Sequence, residues 1–343
     1  MRLSVIIPAL NEAATLPLLL QDLRAQQELV SEIIVVDGGS QDETTAIAER
    51  AAVQLIRCVR GRGRQMNAGA ARAQNDWLLF LHADSRLSSP KLLHDALATM
   101  QSDIAQRGNR EVAGHFPLRF THHDPAATRF YHHLEGKTRL NRPYTINGDQ
   151  GLLISRTFLD ALGGFDETLP FLEDQRIAAR IFERGRWLPL PGELQTSARR
   201  FETEGRRRRY TLMAIIMALH VAGVVEFFTR APQVYAAHDD CGRLQLPPFL
   251  RLIRRILRER GARQTLVILW RIGRFARDNL WQIAYWRDMA NDAPRLPRLR
   301  FYDRWLHPLT RNPLASAIAM LFISIWFFIV LPLQWRHSDS IQR

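Results

Sequence analysis

The first hundred residues alternate between short apolar runs and longer stretches in which apolar positions recur at helical spacing. The runs predicted as strands are 3–7, 32–36, 53–59 and 77–81, each rich in β-branched or aromatic residues. Helices are predicted at 13–26, 43–52 and from the Gly61–Arg64 region through residue 73, with Asn11 as N-cap of the first. Strands that are apolar on both faces and separated by helices indicate an α/β fold with a parallel sheet covered on both sides.

Residues 100–200 are less regular. The run 113–120 is predicted as a strand in which Gly114 and Pro117 indicate an edge position or a bend. A turn-rich loop at 147–151 precedes another apolar run at 152–154, and a helix is predicted to begin at Glu173.

Arginine dominates the second half of the chain. Residues 1–200 hold 24 basic and 23 acidic residues, whereas residues 201–343 hold 23 arginines and 11 acidic residues, so the formal charge of +13 belongs almost entirely to the second half. A segment this basic favours an anionic partner, either nucleic acid or lipid headgroups.

An uncharged run at 313–335 favours the lipid. A bilayer span needs about 20 apolar residues, and Arg311 and Arg336 bracket this run, with Trp326 and Trp335 toward its far end. The alternative is a buried core helix. We therefore expect a transmembrane helix at 313–335 and no nucleic-acid partner. Arginines before the run predict, by the positive-inside rule, a single-pass protein of the cytoplasmic membrane with its main body in the cytoplasm. Because the chain opens directly on an apolar strand, no signal peptide is expected.

Two further segments suggest contact with a membrane surface. The stretch 249–258 has apolar positions on one helical face and arginines on the other, which is typical of a basic interfacial helix. The run 210–228 is interpreted as a membrane-surface or re-entrant segment, and Trp270, Trp281 and Trp286 suit a headgroup layer. The alternative is an arginine-rich helix packed on the catalytic domain. The predicted organisation is a domain at 1–205, basic amphipathic helices at 206–312 and the span at 313–335.

Several site types can be set aside. Two cysteines, Cys58 and Cys241, cannot form a disulfide framework or a four-ligand zinc site. The glycine pattern after the third strand has Met66 where a dinucleotide-binding fingerprint needs its third glycine. Adjacent histidines at 122–123 and 132–133 point apart and have no partner at metal-ligand spacing.

Carboxylates and arginines gather in the loops that follow the predicted strands. In a parallel sheet these loops share the ligand-binding edge. Asp37 beside two glycines can accept hydrogen bonds from a base or ribose, and the glycines let a ligand approach the backbone. The arginines Arg60, Arg62 and Arg64 suit a diphosphate, because guanidinium forks match phosphate oxygens. The alternative for each of these residues is a solvated loop charge.

Four motifs in order resemble the GT-A glycosyltransferases of family 2, over roughly residues 1–200. They are Val5-Ile6-Ile7-Pro8-Ala9-Leu10-Asn11-Glu12, Val35-Val36-Asp37-Gly38-Gly39-Ser40-Gln41-Asp42, Phe80-Leu81-His82-Ala83-Asp84, and Gly163-Gly164-Phe165-Asp166-Glu167 followed by Glu173-Asp174. The loops Gly63-Arg64-Gln65-Met66-Asn67-Ala68-Gly69-Ala70 and Gly148-Asp149-Gln150-Gly151 are similar to the bacterial selenodomain-associated transferase subgroup.

The resemblance implies a role for each matching residue. Residues implied in nucleotide-sugar binding are Pro8, Ala9, Asn11, Glu12, Asp37, Gly38, Arg64 and Asp84. Asp84 stands at the family's Asp-x-Asp position and is implied to bind Mg²⁺ or Mn²⁺. His82 departs from that pattern, because the family often has a second aspartate there. Asp174, with Glu173 as its neighbouring alternative, is implied as the general base of an inverting displacement. Contacts to the acceptor or the diphosphate are implied for Asp149, Gln150, Arg199 and Arg200.

The expected function is that of a membrane-anchored inverting glycosyltransferase, which takes a nucleotide-diphosphate sugar and a lipid or glycan acceptor at the membrane. Two alternatives compete with it. A sugar-phosphate nucleotidyltransferase has a related sheet but a glycine- and arginine-rich loop after the first strand, where this chain has Pro8-Ala9-Leu10-Asn11-Glu12. A non-catalytic membrane-surface protein on the same scaffold would not need Asp37, Asp84 and Asp174, which are all present.

Overall fold

The structure is a computed structural model, and it describes residues 2–26, 30–236, 243–291, 293 and 295–336. Cys241 lies outside the described residues. The chain divides into two compact units, an N-terminal unit of Met1–Ala198 and a C-terminal unit of Arg199–Arg343. This boundary falls slightly before the one predicted after residue 205.

A seven-stranded sheet forms the centre of the N-terminal unit. Its strands are β1 (Leu3–Ala9), β2 (Val30–Asp37), β3 (Gln54–Arg57), β4 (Trp77–Phe80), β6 (Val112–His115), β8 (Leu152–Ser155) and β9 (Arg186–Pro189), in the order β3-β2-β1-β4-β8-β6-β9. Strand β8 runs antiparallel to β4 and β6, and the other neighbouring pairs are parallel. The predicted α/β fold with a mostly parallel sheet is confirmed.

Helices cover both faces of this sheet. They are α1 (Leu16–Arg24), α2 (Thr44–Arg50), α3 (Arg62–Arg72), α4 (Leu92–Arg107), α6 (Arg156–Leu162) and α7 (Glu173–Arg184). Helix α5 (Thr128–Thr138) packs instead on a second, smaller sheet. Alternate residues of β1 enter different cores: Val5 and Ile7 pack with α1 and α4, whereas Ile6 packs with α3, α6 and α7. Burial on both faces explains why the strands are apolar throughout rather than alternating.

The first helix begins later than predicted. Helix α1 starts at Leu16 with Thr15 at the N-cap position, and Pro17 lies in its first turn, where its missing N–H costs nothing. Asn11 does not cap the helix. Its φ of 56° places it in a left-handed turn directly after β1, a conformation that asparagine tolerates better than most residues.

The segment predicted as one strand at 113–120 is two strands in different sheets. After β6 the chain bends at Phe116-Pro117 and continues as β7 (Leu118–Thr121), in a three-stranded sheet with β5 (Arg86–Leu87) and β10 (Leu194–Ser197). The predicted bend is therefore present. The predicted edge position is wrong for β6, because it lies between β8 and β9.

The described part of the C-terminal unit is helical. Its helices are α8 (Arg199–Glu204), α9 (Arg206–Ala222), α10 (Val225–Ala236), α11 (Leu246–Asp278), α12 (Trp281–Ala290), α13 (Pro297–Phe301), α14 (His307–Thr310), α15 (Pro313–Ile325) and α16 (Leu331–Arg336). π-Helical turns at Tyr302–Leu306 and Trp326–Val330 join α13 to α14 and α15 to α16. Helix α11 is broken at Gly261, whose φ is 76°.

The two predicted membrane-surface segments are packed inside this unit, which corrects both interpretations. Residues 210–228 form most of α9 and the start of α10, and the apolar positions of α9, such as Leu212 and Leu219, are buried. In α11, Phe249, Ile253 and Ile256 are at most 2% exposed, because this face packs against α9 and α10. These side chains cannot also enter lipid. Trp281 is likewise buried.

One helix of the described residues is long and apolar enough to cross a membrane. It runs from Pro313 to Trp335 with a mean hydropathy of 2.6, and only 17% of its most apolar stretch is buried. Length and composition alone are therefore compatible with the predicted span.

Candidate active site

Two loops interlock where β1 and β2 end. The Asn11 N–H donates to Ser40 Oγ at 2.9 Å, and the Gln41 N–H donates to Asn11 Oδ1 at 2.8 Å. Behind them the Ala13 N–H donates to Asp42 Oδ2 at 3.0 Å, and the Glu12 N–H donates to Thr44 Oγ1 at 2.8 Å. These hydrogen bonds therefore hold the loop after β1 against the loop after β2. The backbones of both loops lie at the same edge of the sheet.

Asp37 shapes the second of these loops. It is 3% exposed, and its carboxylate accepts hydrogen bonds from the N–H groups of Gly39 (2.9 Å) and Ser40 (3.2 Å) and from the Ser40 hydroxyl (2.5 Å). Gly39 has a φ of 97°, which glycine adopts without strain. Its predicted contact with a nucleotide base stays a prediction.

Gln65 joins the start of α3 to both strands and was missed in the sequence. This buried amide donates to the carbonyls of Ala9 (2.9 Å) and Val36 (2.8 Å). A Cβ at Gly38 would lie 3.1 Å from the Gln65 side chain, so Gly38 lets the amide pass. A polar residue on an otherwise core-facing helical position was the only signal for this role.

Arginines of the first turn of α3 point toward carboxylates of the same unit. Arg62 Nη1 lies 3.2 Å from Glu173 Oε1, and Arg64 Nε lies 3.9 Å from Glu167 Oε2. The Arg64 side chain is 49% exposed and remains available to an anion. Asn67, one turn further, pairs with the backbone of Phe165 at 2.9 Å in both directions and fixes the glycine-rich segment before α7.

The two candidate bases begin α7 in different environments. Leu172, at the N-cap position, has a φ of 70°, a strained left-handed conformation for a leucine that turns the chain sharply into the helix. Glu173 is 1% exposed, and this burial raises the pKa of its carboxyl group against the opposing effect of Arg62. Asp174 is only half-buried, and its Oδ2 accepts the Gly148 N–H at 2.8 Å.

His82 and Asp149 form a pair beside Asp174. His82 Nδ1 lies 3.0 Å from Asp149 Oδ1, and the imidazole packs so closely on Gly148 that a Cβ there would lie 2.9 Å from Nε2. Glycine at 148 is therefore needed to bring the imidazole and Asp174 together. These contacts give His82 a hydrogen-bonding role beside Asp174.

A cleft connects these groups, and its empty space, including the open mouth, is about 440 Å³. The polar groups that line it are the side chains of His82, Asn147, Glu173 and Asp174 and the backbone of Gly148 and Gly151. Its apolar walls are formed by Pro8, Met66, Phe80, Leu81, Ile146, Leu152, Phe165, Ile177, Ala178 and Trp187. Of the predicted site residues, Pro8, Glu173 and Asp174 line it directly. Apolar walls around a few convergent polar groups are typical of an active site.

Three further predicted site residues do not line this cleft. Gln150 is fully buried and donates to the Thr145 carbonyl at 2.8 Å, so it supports the loop and cannot touch a substrate as predicted. Arg199 and Arg200 open α8 in the C-terminal unit, and their predicted role at the diphosphate stays a prediction.

The predicted metal site has a single carboxylate ligand, Asp84. Asp84 is half-buried in the turn after β4, where the Ser85 N–H donates to the His82 carbonyl at 3.1 Å. Within the described residues no three His, Cys, Asp or Glu side chains form a metal-binding group.

Comparison with known proteins identifies the fold and the motifs. The model of glycosyl transferase family 2 matches residues 4–163. The region that resembles this family covers most of the N-terminal unit. The match spans β1 to the end of α6, including the loops that hold Asn11, Asp37 and Asp84, and α7 with Glu173 and Asp174 follows directly.

Curated relatives match this chain over part of their length. A PGL/p-HBAD biosynthesis glycosyltransferase of Mycobacterium tuberculosis is 42% identical over 91 residues, covering 24% of this chain and 36% of the relative. An uncharacterized glycosyltransferase of Rickettsia felis is 30% identical over 140 residues, covering 40% of this chain and 47% of the relative. The chain thus matches between about a third and a half of the length of these relatives.

A solved structure supports the fold over a longer stretch. The crystal structure of S. aureus TarS 1–349 in complex with UDP is 16% identical, with a TM-score of 0.50, and the alignment covers 89% of this chain and 91% of that crystallised chain. At this identity the similarity describes the GT-A fold and nothing about the substrates of this chain.

Proposed function

We propose that this protein transfers a sugar from a nucleoside diphosphate sugar to a hydroxyl group of a membrane-associated lipid or glycan, by one direct displacement that inverts the anomeric centre. The observation that carries the proposal is the placement of Asp174 on the wall of the cleft, with one carboxylate oxygen anchored by the Gly148 N–H at 2.8 Å. A carboxylate fixed in this way can accept the proton of an attacking hydroxyl.

Asp174 suits the role of general base better than Glu173. Glu173 is almost fully buried, pairs with Arg62 at 3.2 Å and has a raised pKa because of its burial. Glu173 also lines the cleft, but with only 1% of its surface exposed it offers an acceptor less access than the half-buried Asp174. We therefore assign proton removal to Asp174 and assign to Glu173 the positioning of the first turn of α7. Asp149, 44% exposed and paired with His82, is proposed to meet the acceptor.

The donor nucleotide is proposed to lie along the loops after β1 and β2. The residues proposed to line its site are Pro8, Ala9, Asn11, Glu12, Asp37 and Gly38. The hydrogen bonds between Asn11, Ser40 and Gln41 hold these loops before any ligand arrives, which lowers the entropic cost of binding. Arg64 is proposed to pair with the diphosphate, since its guanidinium is half exposed. The UDP complex of TarS supports a nucleotide partner for this fold.

Asp84 is proposed to be the residue that would hold a divalent cation at the donor diphosphate. Mg²⁺ commonly binds through one or two carboxylates together with substrate phosphates and waters. A single carboxylate fits that arrangement, whereas an all-protein cage would need ligands that the described residues do not gather. When bound, Mg²⁺ or Mn²⁺ would neutralise charge on the departing diphosphate.

The acceptor is proposed to reside at the cytoplasmic face of a membrane. The 23 arginines among residues 201–343 give the C-terminal unit the charge that anionic headgroups attract. Arg199 and Arg200, at the junction of the two units, are proposed to contact the diphosphate.

A thermal-shift panel tests the proposed function. Purified protein is heated with UDP, GDP, CDP or dTDP, each with Mn²⁺ and with EDTA. We expect one nucleotide to raise the melting temperature, because a ligand that binds only the folded state stabilises it. The corresponding nucleotide sugar should then release nucleoside diphosphate in the presence of membrane extract. Release of pyrophosphate from a nucleoside triphosphate and a sugar phosphate would instead identify a nucleotidyltransferase, and no nucleotide shift at all would contradict the proposal.

A further inference from the structure

The apolar helix at Pro313–Trp335 presents two different faces. Large apolar side chains recur at helical spacing on one face and are 38–71% exposed: Leu314, Ile318, Leu321, Phe322, Ile325, Phe328, Ile329 and Leu333. The other face contacts protein, and Ser316, Phe327 and Leu331 are buried there, although Val330 remains 44% exposed. A transmembrane helix that stands alone in lipid would be exposed on every side.

The second face of this helix packs against α11. A Cβ at Gly273 would lie 2.8 Å from the backbone nitrogen of Met320, so the two helices touch backbone to backbone. One turn further along α11, the buried guanidinium of Arg277 donates from Nη1 to Ser316 Oγ at 2.7 Å. The contact is specific and includes a polar bond that would have to break if the helices separated.

Arginines of the same unit meet this helix along its length. Arg277 is bound near its start, and Arg254 donates to the Phe328 carbonyl at 3.3 Å in its second half. The guanidinium of Arg208 lies 5.0 Å from the Trp335 ring at its end. If the helix crossed a bilayer in this arrangement, α11 with its nine arginines would have to cross beside it. Arginine is among the costliest side chains to place in the hydrocarbon layer.

The helices that precede it in the chain also carry exposed apolar side chains. Phe301, Trp305 and Leu309 follow one another at intervals of four residues and are 56%, 56% and 72% exposed. The Arg304 guanidinium lies 5.3 Å from the Trp305 ring. On α12, Trp286 is 58% exposed. Aromatic rings with adjacent arginines are typical of the headgroup level of a membrane.

We infer that the C-terminal unit binds one leaflet of an anionic membrane monotopically, with the helix Pro313–Trp335 lying in the plane of that leaflet and its exposed apolar face in the acyl chains. In this arrangement the helix lies along the membrane instead of crossing it. A helix with one apolar face and one face held by a basic protein surface binds at the interface, about 5–10 Å deep. The inference rests on the proposed membrane association of the enzyme but not on its chemistry.

The position of the C-terminus distinguishes the two arrangements. Full-length protein is fused after Arg343 either to green fluorescent protein, which fluoresces only if it remains in the cytoplasm, or to alkaline phosphatase, which is active only after export. We expect a fluorescent, phosphatase-inactive pair of fusions in the membrane fraction of a bacterial host. Active phosphatase with a dark fluorescent protein would show a span and overturn the inference. Fusions found only in the soluble fraction would overturn it as well.

A vesicle flotation assay tests the exposed face itself. Unfused protein is mixed with vesicles of phosphatidylcholine, with or without about one third phosphatidylglycerol. Wild-type protein should float with the anionic vesicles only. The pair Ile318→Glu and Phe322→Glu should reduce flotation at least tenfold, whereas Leu18→Glu with Val59→Glu, which charges exposed apolar positions of the N-terminal unit, should not. Circular dichroism and the nucleotide thermal shift show whether each variant is folded. Equal flotation of the folded Ile318/Phe322 variant and wild type would exclude this face as the lipid contact. Because flotation needs no substrate, its outcome is independent of the proposed sugar transfer.

Discussion

Arg62 Nη1 lies 3.2 Å from Glu173 Oε1, and this pair joins the first turn of α3 to the first turn of α7. The arginine is 39% exposed, whereas the glutamate is almost fully buried. The pair thus places a buried carboxylate directly before Asp174, the proposed base. Of the two neighbouring acidic residues, Glu173 is therefore held in a structural ion pair, whereas Asp174 remains accessible.

Replacing Arg62 by methionine should destabilise the protein by about 2 kcal/mol, since a buried carboxylate loses its cationic partner. The value lies below the roughly 3–5 kcal/mol of a fully buried pair, because Arg62 is partly solvated. The double variant Arg62→Met/Glu173→Gln should recover most of the loss. Urea unfolding measures all three proteins, and a double variant as unstable as the single one would show that the pair does not act as a unit.

His115 should make stability depend on pH. Burial lowers the pKa of this fully buried imidazole to about 4, from an ordinary value of 6.5. Above pH 6.5 the imidazole is neutral in both the folded and the unfolded state, so its titration does not make stability depend on pH there. Between pH 6.5 and about 4 the unfolded state binds a proton that the folded state does not, so up to about 3 kcal/mol of stability is lost.

The check compares wild type with His115→Gln in urea unfolding at pH 7.5 and pH 5. The variant should be less stable at pH 7.5 but should lose less stability on going to pH 5. The same loss in both proteins would assign the pH dependence to other groups.

Asp84→Asn should weaken binding of the nucleotide sugar strongly in Mn²⁺ and only slightly in EDTA, because the carboxylate acts through the ion. Calorimetric titration of the two proteins under both conditions measures the difference. The matched control is Asp76→Asn, an acidic residue in the loop before β4. An equal loss of affinity in Mn²⁺ and in EDTA would mean that Asp84 contacts the donor directly or that no metal is used.

Much of the N-terminal unit could be predicted from the sequence. Doubly buried strands such as β1 and β4 produce continuous apolar runs, and the loops after them carry the motif residues that the resemblance uses. The boundary at Asn11 could not be predicted, because an asparagine before a helical pattern is as compatible with an N-cap as with the left-handed turn that it forms. The bonds from Asn11 to Ser40 and Gln41 favour the turn, and they join residues far apart in the sequence.

The packing of the C-terminal unit could not be predicted from the sequence. The face containing Phe249, Ile253 and Ile256 has the same amphipathic pattern whether it packs on lipid or on neighbouring helices. Tertiary contact with α9 and α10 decides between the two. In the same way, hydropathy describes how apolar the helix Pro313–Trp335 is, but not that Gly273 lets α11 cover one side of it. The contacts of Gln65 and Gly148 could not be predicted from the sequence either, since each depends on a partner in another element.

The most direct test of the proposed transfer compares Asp174→Asn with wild type and Glu173→Gln. The donor that gives the largest thermal shift is used with a membrane acceptor fraction, and nucleoside diphosphate release and donor affinity are measured for each protein. We expect Asp174→Asn to keep its donor affinity and to lose turnover by roughly 10²–10⁴, the range for removal of a general base. Glu173→Gln should retain most of its turnover. Near-normal turnover of Asp174→Asn would contradict the account, and loss of turnover confined to Glu173→Gln would move the base to the buried carboxylate.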